Sequence, residues 1–144
     1  MRTLALLATL LALTAFAADF EATTRLFVTR TFFTPAADVA MMTRIATAMA
    51  SGNPSVGIAS IRALNDWDGR AAMSRLDTPV VAINADFGMP TDEARIKEFA
   101  PHFRLIPFQG AGHFLMMEQP ERFNALLLRE LATLEASFND ALQV

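Results

Sequence analysis

Two apolar runs decide most of what this chain can fold into. Val80-Val81-Ala82-Ile83 offers no polar position to either side of a pleated strand, so a strand there must be covered on both faces, as strands of parallel sheets are. Phe103 to Phe108 reads as a second strand. Between them lies a helix predicted from Thr91 to Ala100, with Thr91 as N-cap, Asp92 and Glu93 in the first turn, and Ile96 and Phe99 facing inward. Strand, helix and strand at this spacing make a βαβ unit with parallel strands. The loops that follow the two strands then open on one edge, where open α/β sheets bind ligands.

That edge receives the most informative stretch of the chain, Gly110-Ala111-Gly112-His113-Phe114-Leu115-Met116-Met117-Glu118-Gln119-Pro120. The glycines at 110 and 112 permit backbone angles that other residues resist, so His113 can be presented on a tight turn. Pro120 suits the first position of a helix that runs to about Asp140, with Phe123, Leu127, Leu131, Leu134 and Phe138 expected toward the sheet. The loop after the first strand offers two carboxylates, Asp86 at the strand's end and Asp92 farther on. Asp86 is the better partner for His113 because few backbone torsions separate it from the sheet edge, whereas Asp92 reads as a first-turn charge. Glu118 fits a structural role beside the last helix, and His102 an exposed loop.

From Gly110 to Asn124 the pattern Gly-x-Gly-His-Phe-x-Met-x-Glu-x-Pro-x-x-Phe-Asn resembles the histidine segment of the α/β-hydrolase superfamily. Thr78-Pro79-Val80-Val81-Ala82-Ile83-Asn84-Ala85-Asp86 resembles the strand and acid loop of the same family, and the similarity extends from about Asp19 to about Leu134. The resemblance implies the C-terminal part of an α/β-hydrolase fold, in which cap helices precede a parallel βαβ unit and a terminal helix. It implies His113 as general base and Asp86, or alternatively Asp92, as the acid that orients it. In most relatives the acid lies farther from the strand's proline, at the position held here by Gly88.

The nucleophile is the missing part. Such enzymes carry it on a Gly-x-Ser-x-Gly turn ahead of the acid and the histidine, and no Gly-x-Ser-x-Gly occurs in the sequence. Gly52-Asn53-Pro54-Ser55-Val56-Gly57 is the nearest string, but it has one residue too many before the serine and no strand leading into it. Asn53 and Pro54 read instead as N-cap and first residue of a helix. The chain therefore looks like the second half of an enzyme, inactive unless a second polypeptide supplies serine and oxyanion hole. The competing readings are a non-catalytic binding or interaction remnant and a truncated reading frame.

Composition excludes other classes. A net charge of −3 without a Lys/Arg cluster argues against nucleic acid and anionic membrane as partners. Without cysteine there is no disulfide, thiol nucleophile or Cys-ligated zinc, and two histidines, His102 and His113, make a poor metal site. No cofactor is expected.

Arg2 followed by an apolar run from Leu4 to Ala18, with Ala15-Phe16-Ala17 at its end, reads as a secretory signal peptide over residues 1–17. The run falls short of the roughly 20 residues of a membrane span. A secreted or periplasmic location follows, or a cytoplasmic one if the run belongs to the fold.

Residues 18–76 read as a helical cap-like region and 77–144 as the hydrolase-like portion. In the cap, Thr34-Pro35 is expected to start a helix that runs to Ala50 with Val39, Met42, Ile45 and Met49 on one stripe. Pro54 to Asn65 follows with Ile58, Ile61 and Leu64 in register, then a short helix from Arg70 to Leu76. Met42, Met49, Trp67 and Phe114 are candidates to line a pocket for a small acyl substrate, the methionines because they suit adaptable apolar surfaces. The outer edge of the Pro79 to Asn84 strand is expected to seek a partner, either an N-terminal half or a second copy.

Overall fold

The computed structural model describes residues 12–88 and 90–141. The chain divides after Gly69 into two compact units. The first is helical. Residues 12–18 are helical and lead into α1 (Phe20–Thr31), α2 (Val39–Ala50) and α3 (Pro54–Asp66). Each of the three is capped by the residue before it: Asp19 accepts from the Ala22 N–H, Asp38 from Met41, and Asn53 from Ser55 and Val56. Asp38 therefore starts α2 four residues later than Thr34-Pro35 suggested, and residues 34–37 form a turn closed by the Ala37 N–H to the Thr34 carbonyl. A carboxylate that can reach an orphan N–H outweighs a proline's preference for a first helical turn.

Val28, Phe33, Ile45, Ala46 and Ala50 are buried in this unit. Phe16 is also buried, with its ring 6.1 Å from those of both Phe20 and Phe27. Arg25 of α1 donates to the Thr47 hydroxyl of α2 at 2.6 Å while pairing with Glu21 at 2.9 Å. Gly57 lets α3 approach α1, since a Cβ there would stand 2.6 Å from the Phe20 ring. Leu64, expected inward, is 69% exposed. Residues 1–11 of the signal-like segment lie outside the described residues. Among the described residues no helix is long and apolar enough to cross a membrane.

The short helix α4 (Gly69–Met73) begins on the last residue of the first unit and continues into the second, where it is followed by β1 (Val80–Ala85), α5 (Glu93–Lys97), β2 (Phe103–Phe108), α6 (Leu115–Glu118) and α7 (Pro120–Ala141). The strands pair parallel, from Val80 opposite Phe103 to Ala85 opposite Phe108. Phe108, Ala111 and Leu115 form the buried centre, with Ile83, Ala85, Phe123 and Leu126 packed around it. The βαβ unit is as the sequence suggested, but its helix is a single turn and a half. Asp92, not Thr91, caps α5 by accepting from Arg95, and Pro101 disfavours helical angles at Ala100, which closes instead on Ile96.

The face of α7 turned inward also differs from expectation. Leu127, Leu131 and Phe138 are exposed, while Phe123, Leu126 and Leu134 are half-buried and Glu130 is buried. Glu130 is tolerated there because Arg104 of β2 and Arg129 both donate to its carboxylate. Those hydrogen bonds, that from Arg104 foremost, hold its pKa below the ordinary glutamate value.

Candidate active site

Parallel strands in register send their following loops out of the same edge. Asp86 is the first residue after β1 and His113 lies in the loop after β2, so topology brings the two to one end of the sheet. Both are exposed. The His113 ring meets that of Phe114 edge to face, with centroids 5.2 Å apart.

The histidine loop is fastened to the helices that follow it. The Glu118 carboxylate accepts from the buried Gly112 N–H at 2.9 Å, directly before His113. Gln119 donates to the Gly110 carbonyl at 2.8 Å, and Arg122 donates to the Gln109 carbonyl at 2.8 Å and to the Gln119 side-chain oxygen at 3.0 Å. The Arg122 guanidinium also lies 4.2 Å from the centroid of the Phe108 ring. Gly110 has φ 74°, an angle that favours glycine and turns the chain out of β2. Gly112 has no positive φ, so it does not make the left-handed turn expected of it; its buried N–H is the one bonded to Glu118.

Gln119 and Arg122 escaped the sequence reading as loop tethers. The signal was present: two long polar side chains at the start of a helix that directly follows a glycine-rich loop, within reach of its carbonyls.

Among the described residues, the loop after β1 has fewer tethers. Asn84 donates to the Thr91 hydroxyl at 2.8 Å across it, and Asp92 is engaged as the cap of α5. Gly88, in the same loop, has φ 81°. Beyond the loop, Glu93 accepts from the Leu105 N–H of β2 at 3.2 Å and pairs with Lys97 at 2.8 Å. The hydrogen bond from Lys97, then that from Leu105, lowers its pKa.

Of the pocket candidates, Phe114 adjoins His113 in the second unit, while Met42, Met49 and Trp67 belong to the first. Met42 is half-buried, Met49 is exposed, and Trp67 is 62% exposed over Gly69. Ser55 lies in the first turn of α3, where its N–H donates to Asn53. His102 is exposed, and its carbonyl accepts from Val80 at the start of the ladder. Among the described residues no group of three His, Asp or Glu could hold a metal ion.

No protein-family model and no curated protein matches the sequence. Among solved structures, the chain is similar to an esterase from Exiguobacterium antarcticum, with a TM-score of 0.73 and 18% identity over 87% of this chain. It spans 47% of that esterase's length. At this identity the likeness establishes the fold: a mixed α/β chain, mostly helical with a small parallel two-stranded sheet, that matches part of an α/β-hydrolase fold.

Proposed function

We propose that this chain is the C-terminal part of a serine-type hydrolase that acts on an ester or similar small acyl substrate. His113 is the general base, Asp86 the acid that fixes its tautomer, and Asp92 the alternative acid. The observation that carries the proposal is the loop at 109–113: a histidine presented at the C-terminal edge of a parallel sheet and tethered by Glu118, Gln119 and Arg122, with an aspartate at the same edge. The esterase likeness supports the same reading at the level of fold. The reaction is acyl transfer to a serine and then to water, with serine and oxyanion donors supplied from outside these residues. Phe114, beside His113, is proposed to contact the acyl substrate in the assembled enzyme.

The isolated chain is therefore inactive. A fluorophosphonate probe and a short-chain ester test it, and stoichiometric labelling that is lost on Ser55→Ala overturns the proposal. Co-expression with a half carrying a Gly-x-Ser-x-Gly turn should restore ester hydrolysis that depends on His113. We also propose export with cleavage after Ala17. Mass spectrometry of the product decides it, and an intact N-terminus on a cytoplasmic protein assigns the apolar run to the fold.

A further inference from the structure

The two edges of the sheet are finished differently. Val80 donates to the His102 carbonyl, so Val80, Ala82 and Asn84 of β1 point their backbone groups toward β2, and Val81, Ile83 and Ala85 point theirs away. On β2 the outward residues are Phe103, Leu105 and Pro107. None of the three offers a free donor for pairing: the Phe103 N–H donates to the Ala100 carbonyl at 3.0 Å, the Leu105 N–H donates to Glu93 at 3.2 Å, and Pro107 has no N–H. Among the described residues nothing takes the outward N–H groups of Val81, Ile83 and Ala85. Their side chains are apolar and half-buried, so the open edge is also a sticky one.

We propose that this edge pairs with the same edge of a second copy of the chain, antiparallel, about a two-fold axis at Ile83. The register follows from the positions of the free groups. With Ile83 opposite Ile83 of the second copy, Val81 falls opposite Ala85 and Ala85 opposite Val81, so every outward donor and acceptor in both strands finds a partner. A shift by one residue turns the free groups away from each other, and a shift by two leaves groups unpaired at both ends.

The joined sheet has the order β2-β1-β1-β2, turning two two-stranded sheets, each marginal alone, into one of four strands. Both of its outer edges are then β2 edges, which offer no free donor, so the assembly stops at a dimer and does not grow into a fibre. A serine-bearing half that adds its own strand would take this same edge, so the dimer is the state of the chain without that half, and its readout, mass and cross-linking, reports on the edge and not on catalysis.

The test is light scattering of the full chain across a dilution series, with variants. The wild type should plateau at about twice 15.7 kDa. Ile83→Pro removes the central outward N–H and leaves the ladder donors at Val80, Ala82 and Asn84 in place, so it should give a monomer with an unchanged far-UV spectrum. Because the chain has no cysteine, single cysteines report the register cleanly. Ile83→Cys should oxidise to a disulfide-linked dimer, since hydrogen-bonded antiparallel partners stand about 5.5 Å apart at Cα, within disulfide reach.

Val81→Cys alone should not cross-link, because its own copy lies about 13 Å along the strand, whereas Val81→Cys mixed with Ala85→Cys should. A monomer at every concentration overturns the proposal, as does growth past the dimer or Val81→Cys cross-linking as fast as Ile83→Cys. If Ile83→Pro fails to fold, the cysteine pattern alone decides.

Discussion

The loops that leave β1 and β2 open on one edge and carry the two groups proposed for a hydrolytic site, Asp86 and His113, yet they are held in place by different means. The loop after β2 has its backbone bonded at Gln109, Gly110 and Gly112 by the side chains of Arg122, Gln119 and Glu118. Among the described residues, the loop after β1 is crossed by one exposed side-chain bond, Asn84 to Thr91, before Asp92 caps α5. An imidazole that must move a proton along a fixed line needs a backbone that does not shift. A carboxylate that only orients the imidazole can be brought in by a looser loop. The difference teaches where constraint is spent at this edge.

The strongest way to break that comparison is to remove each group in the assembled, serine-bearing enzyme. His113→Ala should abolish ester hydrolysis, and Asp86→Asn should reduce kcat by about 10⁴-fold, the cost of losing the orienting carboxylate in a serine triad. Asp92→Asn, which keeps an N-cap oxygen, should change kcat by less than about threefold, because Asn and Asp cap equally well. If Asp92→Asn is the variant that loses activity, the roles of the two aspartates are exchanged and the looser loop carries the acid farther along.

The tethers themselves come next. Glu118→Ala leaves the buried Gly112 N–H without an acceptor and should cost about 1–3 kcal/mol in urea unfolding. Glu118→Gln retains an acceptor oxygen and should recover most of that. The matching change in the other loop, Thr91→Ala, frees only an exposed amide and should cost about 0.5 kcal/mol. Equal losses in the two variants would show that the loops are held alike.

Which features were legible follows from where their causes lie. Phe103 to Phe108 was read to the residue because an apolar run is bounded by His102 and by Gln109-Gly110, and the histidine loop because glycine, histidine, glutamate and proline fall in one contiguous segment. The acid loop was harder: the choice between Asp86 and Asp92 depends on a backbone path set by Gly88 at φ 81° and by which oxygen caps α5. On α7, the exposed row Leu127, Leu131, Phe138 is more apolar than the inward row Phe123, Leu126, Glu130, Leu134, and it is Arg104, across on β2, that lets the row containing Glu130 turn to the sheet. A partner distant in sequence decided that face.

The glycines at the base of each loop sharpen the comparison further. Gly110 and Gly88 both have positive φ. A Cβ at Gly110 would meet nothing within 4 Å, so Gly110→Ala isolates the backbone term, about 1–2 kcal/mol for an L-residue held in the left-handed region. In Gly88→Ala the looser loop can relax to a negative φ, and the cost should fall to under about 1 kcal/mol. Unfolding midpoints of the two variants decide, and a larger loss at Gly88 would show that the acid loop is the more rigid one.

The smallest expected effect concerns acid. Each loop leads into a helix that returns a glutamate to β2: Glu93 of α5 to the Leu105 N–H, and Glu130 of α7 to Arg104. Both have pKa values lowered in the folded chain, Glu93 first by Lys97 and Glu130 first by Arg104. A carboxyl group whose folded value is depressed stabilises the fold fully above its unfolded value, and that contribution is lost as pH falls toward the folded one. The window therefore opens near the ordinary glutamate value and extends below it, with no change at neutral pH.

The Glu130 side chain is 10% exposed and that of Glu93 33%, so solvent screens the Glu93 pair more and Glu130 should carry the larger share of the acid sensitivity. Thermal midpoints between pH 7 and pH 3 test this. Glu130→Gln should lie below wild type at pH 7 and converge on it at low pH, while Glu93→Gln should follow the wild-type curve with a smaller offset. The opposite order would mean that the helix after the acid loop, and not the one after the histidine loop, is the firmer brace of the sheet.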